Sequence, residues 1–255
     1  MSPRSSLLLL ALFVWFPVVA QAVELVPHRA AYRVTLAPHS RGPVTEVRGG
    51  LVLEWRAGCE GWVSNQRLGF VAGREDGSSF SYDVRFSSWE SRDGTELHFS
   101  VTSFENGKTG EEIRGRAELE APGGPGRAVF VLPAESEMAL PPGTLFPTRH
   151  IAELIRAAER GERFVAHLVF DGSGENALSN VSAVIGPARS GPEGPRWPVT
   201  LAYFGVGSAD PTPDFTIGFE LDARGVLHAV TLDYGEFVLE GRLDRLELLP
   251  RPECP

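Results

Sequence analysis

Apolar positions along the chain fall in short runs bounded by turn-forming residues, the pattern of strands rather than helices. In the first half such runs cover residues 32–36, 50–55, 62–71, 80–86, 97–104, 113–119 and 128–132. The second half continues with 164–170, 181–185, 199–204, 216–221, 226–232 and 237–248, the last long enough for more than one strand. Asp93-Gly94, Asn106-Gly107, Asp171-Gly172 and Arg224-Gly225 sit between neighbouring runs, where the turns of an antiparallel meander belong. No alternation of strand-like and helix-like segments is present, so a parallel βαβ sheet is not expected.

One segment breaks the pattern. Ile151, Leu154, Ile155 and Ala158 recur at helical spacing, with Thr148 as the expected N-cap, Arg156 and Arg160 in the last turn and Gly161 just beyond it. This predicts a single amphipathic helix whose one apolar stripe lies over an open face or mouth of the sheet. The Pro-rich stretch 133–147 leads into it as a crossover, and 121–126 and 186–198 are expected to be exposed loops.

The expected fold is therefore mainly β: one curled antiparallel sheet, a β-spiral or open barrel of about a dozen or more strands, with one helix. A sheet of that size must curl or close to protect its edges. No shift in composition divides residues 23–255, which are taken as a single domain. The 28 Gly and 20 Pro are spread along the whole chain and serve its turns. Trp55, Trp62, Trp89, Trp197 and several Phe are candidates to fill the concave side.

The first residues change the picture of compartment. Arg4 precedes an apolar run at 7–16, Pro17 breaks it, and Ala20-Gln21-Ala22 is a small-x-small cleavage sequence. The apolar stretch 7–20 is shorter than the roughly 20 residues that span a bilayer. Residues 1–22 are thus expected to be a signal peptide cleaved after Ala22, leaving a secreted chain with no transmembrane segment. The full chain carries a net charge of −9, and Lys108 is the only lysine among its 24 basic residues, which are scattered. Such a balance disfavours nucleic acid as a partner.

Cys59 and Cys254 are the two cysteines, 195 residues apart. In an oxidising compartment they are expected to pair, and a loop of that length restricts the unfolded chain by up to about 5 kcal/mol. A buried free Cys59 with a reactive Cys254, or a bridge between two molecules, are the alternatives. No Cys-x-x-Cys supports redox catalysis.

Candidate chemistry is sparse. His150 and Glu153 share a helix face, but a di-iron centre needs a second such pair and more carboxylates. The six histidines, at 28, 39, 98, 150, 167 and 228, show no zinc spacing. Asp171-Gly-Ser173-Gly-Glu175 starts like a calcium loop, yet Asn176 replaces the turn glycine and Ser182 the bidentate Glu, so an ordinary turn is expected. There is no Gly-x-Ser-x-Gly elbow, Walker loop or dinucleotide fingerprint. Two distant carboxylates could still face each other in a glycan hydrolase, and nothing along the chain picks such a pair. Asn180-Val-Ser182 is a glycosylation sequon to which no role is assigned. Neither a metal, a cofactor nor a set of ligand-binding residues is predicted.

Specific strings carry a resemblance: Val26-Pro-His-Arg-Ala-Ala-Tyr32, Leu53-Glu-Trp55 before Cys59, Glu60-Gly-Trp62, Leu145-Phe-Pro-Thr148 and Phe170-Asp-Gly-Ser173. Asp233-Tyr-Gly-Glu-Phe237, Leu246-Glu-Leu-Leu-Pro250 and Cys254 complete it. Together they resemble the periplasmic cell envelope integrity proteins of the EipB family. The resemblance implies a β-spiral with one helix, similar to the lipoprotein carriers LolA and LolB, and a Cys59–Cys254 disulfide. It brings no catalytic motif. It implies maintenance of Gram-negative envelope integrity and leaves the molecular mechanism open; the leading expectation is a non-catalytic, monomeric periplasmic protein that binds or scaffolds envelope proteins or lipids. A carrier of an acyl chain or lipoprotein is the alternative.

Overall fold

The computed structural model describes residues 23–174 and 177–254. The signal peptide read in residues 1–22 lies outside them, as do Glu175 and Asn176 of the Asp171 turn. The first eight strands are β1 (His28–Leu36), β2 (Val44–Ala57), β3 (Gly61–Arg74), β4 (Ser79–Ser91), β5 (Glu96–Glu105), β6 (Lys108–Leu119), β7 (Gly126–Leu132) and β8 (Ser136–Leu140). After β9 (Thr144–Leu145) comes the helix α1 (Pro147–Glu159), then β10 (Phe164–Phe170), β11 (Leu178–Ile185) and β12 (Arg189–Gly191). The chain ends with β13 (Gly194–Gly205), β14 (Phe215–Asp222), β15 (Leu227–Asp233) and β16 (Val238–Leu248).

All sixteen strands belong to one sheet, mainly antiparallel, in the order β8-β7-β6-β5-β4-β3-β2-β1-β16-β15-β14-β13-β11-β10-β9, with β12 added beside β13. Only the short β9–β10 pairing is parallel. Residues 237–248 contain one strand, not two, and the expected loop 186–198 holds the β12–β13 hairpin. Pro195 and Pro198 disguise that hairpin. Pro195 faces Ser190 before the pairing with β14 begins at Arg196, and Pro198 faces Glu220 before the pairing with β11 begins at Val199. Each proline therefore sits where one side of the strand has no ladder for it to break.

The first and last strands of the sheet order, β8 and β9, are not paired with each other. The curl is closed instead by side chains. Phe170 on β10 meets Phe99 of β5 at 5.6 Å, Phe130 of β7 at 6.3 Å and Phe146 ahead of α1 at 6.3 Å between ring centroids, all edge-on. Leu97, Ile113 and Leu140 complete this buried seam. Gly172 turns beside it with φ +76°, and any side chain there would run into the Phe99 ring. That position combines a backbone conformation and a close approach that both require glycine.

Helix α1 packs its Leu154, Ile155, Ala157 and Ala158 on the concave side against Val169, Val181, Ile185, Trp197 and Leu221. The buried face is wider than the expected stripe, because His150 and Ala152 are buried as well. Gly161 follows the helix in the left-handed region, as the sequence predicts. The N-cap, however, is Phe146, with no side-chain cap of its own, rather than Thr148. Trp55, Trp62 and Trp197 pack on the concave side, whereas Trp89 lies on the outer face against His98. No helix among the described residues is long and apolar enough to cross a membrane.

Cys59, in the turn between β2 and β3, is bonded to Cys254, with Cα atoms 5.5 Å apart. The tail leading to Cys254 is held along the way by Leu249 N–H donating to Pro27 O and Arg251 donating to Leu25 O.

Candidate functional site

Strand pairing sets which residues look inward. One register row across the first half of the sheet runs His28, Trp55, Ser64, Ser88, Phe99, and the next runs Leu53, Gln66, Phe86, Val101. Between these rows, the first turn of α1 and the opposite wall of Tyr203, Ile217 and Leu227 lies a lumen of about 400 Å³. That is the size of a small-molecule pocket and room for on the order of a dozen waters. Most of its apolar lining stays half-buried and Gln66 is exposed, because no side chain fills the space.

The lumen is apolar with a few polar groups. Trp55 stacks obliquely on Trp62 at 5.4 Å, and its indole Nε1–H is buried without an acceptor. Asp171 and Ser173 enter from the turn between β10 and β11, where the Asp171 carboxylate accepts from Ser173 N at 2.8 Å. Burial pushes the Asp171 carboxyl up against the lowering effect of that bond. Burial, with Asp171 nearby, raises the Tyr203 phenol too, and its ring stacks on Phe215 at 4.3 Å. Glu54 stands between the inward Leu53 and Trp55 on β2, so its carboxylate lies on the outer face, where Arg29 and Arg56 engage it and Arg56 holds its acid below the usual range despite partial burial.

Glu90 fixes the helix that roofs this space. It is buried on β4, and its two oxygens accept the Thr148 and Arg149 backbone N–H groups at 2.7 and 2.9 Å. A carboxylate from another strand thus takes the place of a local N-cap. Burial pushes the Glu90 acid up to about 7, the two backbone bonds opposing it. Its contribution to stability is complete below the ordinary value of 4.5 and is lost as pH rises through about 7. Urea unfolding at pH 5 and pH 8 should show a fall on the order of 2 kcal/mol that Glu90→Gln removes. An identical fall in both proteins would refute the assignment.

The other titratable clusters are structural. Asp222, 1% exposed, accepts from Arg224 N at 2.9 Å, Val226 N at 3.0 Å and the Arg224 guanidinium at 3.0 Å, and bonds His228 Nε2 at 3.1 Å. Burial alone would raise its carboxyl, and the bonds from His228, Val226 and Arg224 bring it below the usual range. These bonds tie down the β14–β15 turn. His150 and Glu153 part company: Glu153 accepts from Arg149 and Arg156, while the His150 ring packs edge-on to His167 at 5.2 Å. Burial pushes His150 down to about 3, so it is neutral. Among the described residues no group of three or more His, Cys, Asp or Glu could hold a metal.

Glu90, Trp55 and the lumen lining were not singled out from the sequence as a site. One signal was there: in the run 62–71 the inward positions read Trp62, Ser64, Gln66, Leu68, and polar residues at two of them are what a filled core avoids.

The model of the EipB-like family matches residues 19–250. The cell envelope integrity protein EipB of Brucella abortus (strain 2308) is 32% identical over 246 residues, covering 90% of this chain and 86% of that protein. A crystal structure titled as a beta-barrel-like protein of domain of unknown function DUF1849, also from Brucella abortus, superposes with a TM-score of 0.81 at 31% identity. It covers 90% of this chain and all of its own. With the family model matching nearly the whole chain and a relative 32% identical over most of both chains, this chain belongs to the EipB-like family.

Proposed function

We propose that the chain is a non-catalytic periplasmic protein that supports cell-envelope integrity by binding or scaffolding envelope components. The similarity to a protein named for envelope integrity supports the role, and the unfilled lumen is the observation that carries binding. Among the described residues the inward-facing lining offers one carboxyl group, Asp171, because the Glu54 carboxylate is held on the outer face by two guanidinium groups. A glycosidase pair needs both acids free to act on one bond, so the lumen is better suited to holding a ligand than to cleaving it.

A second reading, a carrier that shelters an acyl chain, is favoured by one feature. The lumen's contiguous apolar wall of Leu53, Val84, Phe86, Val101, Ile217 and Leu227 is left uncovered by the protein itself. Native mass spectrometry of the chain purified from the periplasm without detergent, followed by lipid extraction, tests both. A reproducible mass increment that extracts as lipid supports the carrier. A bare chain that cross-links in cells to envelope proteins supports scaffolding, and a bare chain without such partners removes both readings.

A further inference from the structure

The lumen's charge is lopsided. Among the described residues no Arg or Lys lines it, and its imidazole, His28, is held by Val26 O and pushed down by burial. Its described inward acid is Asp171, whose hydrogen-bonding partner is its own turn. An anionic head entering this space would lose its hydration and find no cation in return. The polar side chains on its inward rows, the Ser64 and Ser88 hydroxyls and the Gln66 amide, are uncharged.

We propose that the lumen selects an uncharged amphiphile, one acyl chain with an ester or amide head, and discriminates against anionic lipids. This rests on the reading that the lumen binds a ligand, and adds the chemistry of that ligand. The apolar wall takes the chain, and Ser64 and Ser88, register partners on β3 and β4, meet the head. A hydroxyl on the same head has Asp171 as its acceptor. No cation is needed on the protein for such a ligand, which is the property that separates it from a fatty acid or a phospholipid.

The test uses the oxidised chain from residue 23 and two probes that share one tail, 1-lauroylglycerol and laurate, titrated at pH 8 by calorimetry. The expected result is that 1-lauroylglycerol binds at least about tenfold more tightly than laurate. Gln66→Arg places a cation at an exposed lining position and should bring laurate to within about threefold of 1-lauroylglycerol. Equal binding of the two probes to the wild type overturns the selectivity while leaving the lumen as a binding site. Binding of neither overturns the selectivity and the lumen reading together. Failure of Gln66→Arg to narrow the preference overturns the charge argument, and because that substitution alters an exposed residue, its readout does not depend on disturbing the core.

Discussion

Phe170→Ala is expected to destabilise the protein by about 3–5 kcal/mol, the cost of emptying a phenylalanine site in a core that cannot collapse around the loss. Phe170 is fully buried and touches three other rings drawn from β5, β7 and the entry to α1. Elsewhere in the sheet a lost side chain leaves the ladder hydrogen bonds on both sides intact. At the seam there is no ladder between β8 and β9, so beyond the short connection 141–143 it is packing that joins the two ends of the curl. The deletion should therefore lower the midpoint of thermal unfolding by on the order of 10 °C and loosen the seam selectively. Hydrogen exchange at β7, β8 and β10 should accelerate more than exchange at β1 and β2. Uniform acceleration, or a loss below about 1 kcal/mol, would mean that the seam does not hold the curl closed.

Cys59→Ser is expected to cost about 2–5 kcal/mol under oxidising conditions. The bond links a turn near the start of the sheet to the tail after its last strand, so it constrains nearly the whole unfolded chain. Cys254→Ser should match it, and the double variant should cost no more than either single one, because both remove the same bond. Guanidinium unfolding of the three variants, with and without reductant, measures this. Identical midpoints for wild type and variants in the oxidised state would show that the bridge contributes nothing. A marked further loss in the double variant would show that the cysteines act separately.

Alternating runs in the sequence predict the sheet because strand period and burial agree almost everywhere: Ile113, Ala117 and Leu119 on β6 are inward and buried as written. The helix is equally legible from Ile151, Leu154, Ile155 and Ala158, and the Gly161 stop is a local property of the chain. Its start is not local. The oxygens that cap it belong to Glu90, on a strand far upstream, and no window of sequence around Thr148 contains them. The hairpin at 186–198 was hidden because Pro and Gly signal turns on average, while the pairing that tolerates them here depends on which neighbours each proline faces. The lumen was least legible. Its walls come from eight strands, the helix and two turns, and the relation of Asp171 to Tyr203 or of Trp55 to Ser88 exists only once the curl has formed.

Because β1 is paired on one side with β2 and on the other with β16, the strand made first must wait for the strand made last. Strands β2 to β8 pair with sequence neighbours and are assembled from local contacts, which form quickly. The second edge of β1 stays raw until the last strand has been made, open to the edges of other chains. Arrival of β16 fills that gap, and the few residues after it carry Cys254 to Cys59. Completion of the sheet and its covalent locking are thus a single late event, reserved for full-length molecules. A chain cut short before β16 would keep two open strand edges, on β1 and β15, in the middle of the sheet, and would lack its lock, the state that proteases and aggregation remove first.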